Sequence, residues 1–179
     1  MSLSNPARVD ELLNYRLASL LACSTAITTR LCEGRYGITR REWRLIALLA
    51  DYGAMSPSAL AEQAHLKRPI VSRLINDLID KRLVAKVRMP SDNRRATLEL
   101  SQHGFQLHAE LFPLSVELNR RVLSALTSSQ LSVFDEALTL LTSHAEEVIR
   151  SYPIEAKADR RHGGSRKSQR VAWNDTPMQ

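Results

Sequence analysis

Apolar residues recur along most of this chain at the three- and four-residue spacing of helices, and one short stretch changes to a period of two. Leu13, Leu17, Leu20, Leu21, Ile27 and Leu31 place a first helix between about Asp10 and Cys32, and Glu33-Gly34-Arg35-Tyr36-Gly37 reads as its break. Thr39-Arg40-Arg41-Glu42 is a capping box: the Thr hydroxyl can accept from the amide three residues on, and the Glu can reach back. It opens a helix through Trp43, Ile46, Ala47 and Leu49 to about Tyr52, where Gly53 suits the stop. Ser56-Pro57 starts a short helix through Ala59, Leu60 and Ala64, since Ser can cap and Pro tolerates the first helical position. His65-Leu66-Lys67 forms a tight turn, and Ile70 to about Arg82 is again helical, with Val71, Leu74, Ile75 and Leu78 as its apolar face.

The period then changes. Leu83-Val84-Ala85-Lys86-Val87-Arg88 and Thr97-Leu98-Glu99-Leu100 partly alternate around the turn-forming stretch Met89-Pro90-Ser91-Asp92-Asn93-Arg94-Arg95, which predicts a β-hairpin. After Ser101, the residues Phe105, Leu111, Phe112, Leu118 and Val122 mark one long helix, which Pro113 is expected to kink or interrupt. Thr127-Ser128-Ser129-Gln130 is a second capping box. Behind it Leu131, Phe134, Leu138, Leu141, Ala145 and Val148 step by three and four, the seam of a helix that packs along another helix. The fold class is therefore mainly α with a small β-hairpin wing. Helix, short helix, turn, helix and hairpin make a winged helix-turn-helix lobe over 37–101, with helical regions at 10–36 and 102–152.

Composition narrows the partner. The formal net charge is +6 and the pI about 9.7, which suits a polyanion such as nucleic acid or an anionic membrane surface. Residues 153–179 hold six Lys or Arg against three acids and include Gly163-Gly164, so a basic, disordered tail is expected there, and a flexible start at 1–9. No apolar run is long enough to cross a bilayer and no secretory layout opens the chain, which makes the cytoplasm the expected compartment. Cys23 and Cys32 fit a reducing compartment and give no disulfide framework.

The candidate chemistry lies on the outer face of the 70–82 helix and on the hairpin. Lys67, Arg68, Ser72, Arg73 and Asn76 occupy that face, with 68, 72 and 76 in one stripe. Arg can pair with guanine edges or phosphates, Asn with adenine, and Ser with backbone or base. A solvated polar face would look the same, and the hairpin decides between them. Lys86 and Arg88 lie on its first strand, and Asp92, Arg94 and Arg95 on its tip. A basic hairpin can lay an Arg into a narrow minor groove, and an acid beside it can fix the guanidinium fork.

Asp92-x-Arg94, followed after five residues by Leu100-Ser101-x-x-Gly104, resembles the wing signature of the MarR family of bacterial regulators, with Ser101 where Thr is usual. Pro69-x-Val71-Ser72-Arg73-Leu74 resembles that family's recognition helix. The resemblance covers roughly residues 10–150 and departs from the family at Arg82, where Gly is common; Arg there suggests another way of ending the helix. It implies a transcriptional regulator, a repressor by expectation, in which Arg94 meets the minor groove with Asp92 supporting it, and Ser72 and Arg73 face the major groove. It also implies a homodimer formed by the terminal helices, through Leu13, Leu17, Leu131, Phe134, Leu138, Leu141 and Val148, on a pseudo-palindromic operator. Finally, it implies a small aromatic or carboxylate effector near Arg16, Tyr36, Trp43 and Arg44. The partners expected are thus double-stranded DNA, a second copy of the chain and that effector, with no membrane.

Other classes find less support. The histidines form no His-Glu-x-x-His pair, and neither a nucleophile elbow nor a phosphate-binding Gly loop is present, so no enzyme activity, metal or cofactor is expected. A thiol sensor remains an alternative. Cys23 and Cys32 point to opposite sides of one helix, ~13.5 Å apart in rise, and cannot bridge within it. A winged helix that binds protein is the other alternative, against which the basic wing and stripe argue.

Overall fold

The computed structural model describes residues 3–89 and 92–152, without the side chains of residues 88–96. The chain divides into two compact units, Met1–Leu126 and Thr127–Gln179. In the first, a 3₁₀ turn (Val9–Glu11) precedes helix α1 (Leu13–Arg30), none of whose residues is buried. The break expected over Glu33–Gly37 comes only at the end of that stretch. The helix runs on through a π turn, Leu31–Arg35, in which the Tyr36 amide donates to the Leu31 carbonyl at 3.3 Å. The wider turn absorbs Gly34, and the chain reverses only at Gly37, whose φ of 63° suits a residue without Cβ.

Helix α2 (Arg40–Tyr52) begins with both halves of the capping box in place: the Glu42 amide donates to Thr39 Oγ1 at 3.2 Å and the Thr39 amide to Glu42 Oε2 at 2.6 Å. Helix α3 (Pro57–Gln63) starts on Ser56, whose hydroxyl accepts from the Ala59 amide at 3.2 Å. Helix α4 (Arg68–Asp80) follows the turn at His65. Leu45, Ile46 and Leu49 of α2, Leu60 and Ala61 of α3, and Val71, Leu74, Ile75 and Leu78 of α4 form one buried core.

Strands β1 (Val84–Met89) and β2 (Asp92–Leu100) pair antiparallel, Val84 opposite Leu100 and Lys86 opposite Leu98, with an irregularity after Arg88. Met55 exchanges two backbone bonds with Leu98, at 3.1 and 2.8 Å, which ties the hairpin to the α2–α3 link. Val84, Leu98 and Leu100 add to the core. Helix α5 (Gln102–Leu123) contains Pro113, which does not interrupt it. The helix is fixed upstream of the proline by the Ser101 cap and by fully buried Leu111, so one missing amide donor is tolerated.

The second unit contains α6 (Ser128–Ser151), opened by Thr127 and Gln130 as a reciprocal capping box and without a buried residue. No helix among the described residues is long and apolar enough to cross a membrane.

Candidate nucleic-acid interface

The amphipathic split of α4 is sharp. Val71, Leu74, Ile75 and Leu78 are buried, while Lys67, Arg68, Ser72, Arg73 and Asn76 are all exposed. Its first turn carries no acid, and among the described residues no carboxylate lies in ion-pair range of Lys67, Arg68 or Arg73. The chain thus holds a cationic, hydrogen-bonding helix face outward on a rigid apolar mount.

Backbone geometry fixes both ends of that helix. At the α3–α4 turn, His65 takes a left-handed conformation (φ 50°). The His65 amide donates to the Glu62 carbonyl at 3.0 Å and the Leu66 amide to the Ala61 carbonyl at 3.0 Å, which closes α3 in a Schellman motif. The end of α4 repeats the device. The Arg82 amide donates to the Ile79 carbonyl and the Leu83 amide to the Leu78 carbonyl, both at 2.9 Å, with Arg82 at φ 57°. The expectation that Arg82 marks a different termination is therefore corrected. Arginine adopts the left-handed cap that glycine commonly fills, because buried Leu78 and Leu83 complete the motif.

A buried charge pair adds a second hold. Lys81, next to Arg82, donates from Nζ to Glu42 Oε1 at 2.7 Å, and the Glu42 side chain is 1% exposed. Burial works to raise the Glu42 pKa, but the bonds from Lys81 and from the Thr39 amide and hydroxyl outweigh it and hold the carboxyl below its ordinary value. The end of α4 is thereby clamped to the start of α2.

The start of α5 locks the wing to the same junction. Ser101 Oγ accepts from the Gly104 amide at 3.0 Å and donates to the Arg82 carbonyl at 2.6 Å, while the Ser101 amide donates to the Leu83 carbonyl at 3.0 Å. A Cβ on Gly104 would lie 2.2 Å from that Leu83 carbonyl oxygen. The Leu-Ser-x-x-Gly pattern is thus a joint between α4, the hairpin and α5. Lys86 is exposed on β1; the side chains of Arg88, Asp92, Arg94 and Arg95 lie outside the described residues.

The candidate effector residues are spread over α1, the link from the π turn to α2, and α2 itself. Trp43 is buried and stacks on His108, with centroids 5.5 Å apart, and Tyr36 packs on the same core. Arg16 is exposed on α1, and Arg44 turns to the α3 end, where Nη1 donates to the Ala64 carbonyl at 3.1 Å. None of the four lines the groove of ~310 Å³ between α1 and α5, whose walls include Thr25, Thr28, Ser115 and Asn119. Cys23 is exposed. Cys32 is fully buried, and that burial pushes its thiol up more than nearby Arg40 lowers it, which leaves little of the thiolate a sensor needs. The candidate dimer residues Leu13, Leu17, Leu141 and Val148 are exposed in the single chain, and Leu131, Phe134 and Leu138 are half-buried.

Sequence reasoning missed the Glu42–Lys81 pair and His108. The capping box flagged Glu42 only as a cap, and nothing local pairs it with a lysine 39 positions away.

The sequence matches the model of the MarR family over residues 36–95. It is 35% identical over 74 residues to the HTH-type transcriptional regulator FarR of Neisseria gonorrhoeae, a match covering 41% of this chain and 51%, about half, of that protein. It is 22% identical over 118 residues to the homoprotocatechuate degradative operon repressor of Escherichia coli, covering 64% of this chain and 80% of the repressor. Among solved structures, Bordetella bronchiseptica BpsR, described for regulation of its DNA binding by 6-hydroxynicotinic acid, shares the fold at a TM-score of 0.69. Its identity is 19%, with 77% of this chain and 98% of BpsR covered. The matched family and relatives are regulators of transcription, not enzymes.

Proposed function

We propose, from the match of residues 36–95 to the MarR family model, that the chain is a sequence-specific DNA-binding repressor of that family, working as a homodimer on a pseudo-palindromic operator. The observation that carries the reading is α4, whose apolar face is docked while Lys67, Arg68, Ser72, Arg73 and Asn76 stand free. Such a face can enter the major groove, where Arg68 and Arg73 meet guanine edges or phosphates and Asn76 meets adenine. The hairpin, with Lys86, Arg88, Asp92, Arg94 and Arg95, then reaches the adjacent minor groove. The twofold partner supplies a second copy of this face about one DNA turn away, ~34 Å. The exposed leucines of α1 and the exposed apolar residues of α6 support dimerisation, since monomers rarely leave such stripes uncovered.

The test is selection from random duplex DNA with the full chain at moderate salt. Enrichment of a pseudo-palindrome with half-sites about one helical turn apart is expected. A folded dimer that enriches nothing would sink the sequence-specific reading and favour a protein-binding role.

A small aromatic acid as effector is favoured by one further observation. His108 stacks between Trp43 and Phe112, with centroids 5.5 and 5.1 Å away, and its buried Nε2 has no partner among the described residues. A carboxylate accepting from that nitrogen would remove the penalty of an unpaired buried group. Calorimetry with a panel of aromatic acids is expected to give heat with at least one of them, abolished in His108→Leu; a silent panel counts against the effector.

A further inference from the structure

We infer that Arg44 is a phosphate contact, held against the turn of the helix-turn-helix so that its charge faces the DNA strand bordering the groove. The inference rests on the DNA-binding reading above and adds a residue from outside the recognition helix and the wing.

Arg44 projects from α2, yet its Nη1 reaches the carbonyl of Ala64 at 3.1 Å. Ala64 ends α3, directly before left-handed His65 and three residues before Lys67, which opens α4. The bond uses one of five guanidinium N–H donors, and the residue stays exposed. Among the described residues no carboxylate lies in ion-pair range of it. Arg41, exposed one turn earlier on the same side of α2, adds a second such charge.

In a helix-turn-helix the first helix crosses the sugar–phosphate backbone while the N-terminal residues of the second reach the base edges. The turn joining them therefore sits at the rim of the groove, where phosphates pass. An arginine bonded to that turn's carbonyl is pre-organised there, with the rest of its planar fork free for a phosphate.

The experiment measures binding of the full chain to a labelled duplex of arbitrary sequence across a salt series, for wild type, Arg44→Gln and Arg44→Lys. Gln carries no charge and is too short to keep the bond to Ala64; Lys keeps the charge without the guanidinium fork. Arg44→Gln is expected to flatten the log–log salt dependence by roughly 1.8, about 0.9 for each subunit of a dimer, and to weaken binding by tens of fold at ~0.1 M salt. Arg44→Lys is expected to keep the wild-type slope. An unchanged slope in Arg44→Gln overturns the inference, as does an equal loss in both variants, which would make the bond to Ala64 the thing that matters. A wild type without salt-dependent duplex binding overturns the DNA-binding reading itself.

Discussion

Arg82 holds φ at 57°, where an L side chain crowds the following carbonyl and glycine does not. Arg82→Gly should relieve that crowding at the cost of a more flexible unfolded chain, a net gain of about 1 kcal/mol, read as a rise in melting temperature of about 3 °C at matched protein concentration. A fall would mean that the arginine side chain holds the junction in some other way. Gly104 shows the reverse constraint. Its missing Cβ would sit 2.2 Å from a carbonyl oxygen already bonded to the Ser101 amide, so neither side can give way. Gly104→Ala should destabilise by about 3 kcal/mol in denaturant titration, whereas the same change at exposed Gly34, where a Cβ meets nothing, should cost little. The sequence marked Gly104 as part of a signature but not why: the close approach joins residues 83 and 104, and only the folded chain brings them together.

At the scale of elements, the bond between Glu42 and Lys81 ties two helices through a carboxylate that is almost fully buried. Its folded-state pKa lies below the ordinary value of 4.5, so its contribution is fully present above about pH 4.5 and is lost as pH falls through the lower folded-state value. Glu42→Gln should lower stability at neutral pH by about 2 kcal/mol and flatten the pH dependence in that acid window. Urea titrations at a series of pH values would show it, and an unchanged acid profile would remove Glu42 from the account. Lys81→Met should cost more, about 3 kcal/mol, because it strands the buried carboxylate. Most elements were legible beforehand. The starts of α2, α3 and α6 are written in caps that act within four residues, as is the end of α2 before Gly53. The π turn and the unbroken passage through Pro113 were not, because each depends on what the helix packs against beyond the local window.

For the whole molecule, Leu13, Leu17, Leu20 and Leu21 of α1 stand between 37% and 50% exposed, and Leu141, Val148 and Ile149 of α6 between 43% and 80%. Apolar stripes of this kind call for a cover. Leu17→Glu or Leu141→Glu should convert a dimer to a monomer in sedimentation and lower operator affinity, since one recognition helix then binds without its twin. A wild-type chain that sediments as a monomer would remove the dimer from the proposal. The sequence by itself determined the order of elements, their caps and the polar face of α4, because these follow from periodicity and contacts within a single turn. Only the tertiary structure decided how Arg82 ends α4, that Lys81 pairs with Glu42, that Arg44 braces the turn at Ala64 and that Gly104 admits no side chain. The last three join positions at least 20 residues apart, and the Arg82 carbonyl is held by Ser101, 19 residues on; no local pattern records a distance that exists only once the core has closed.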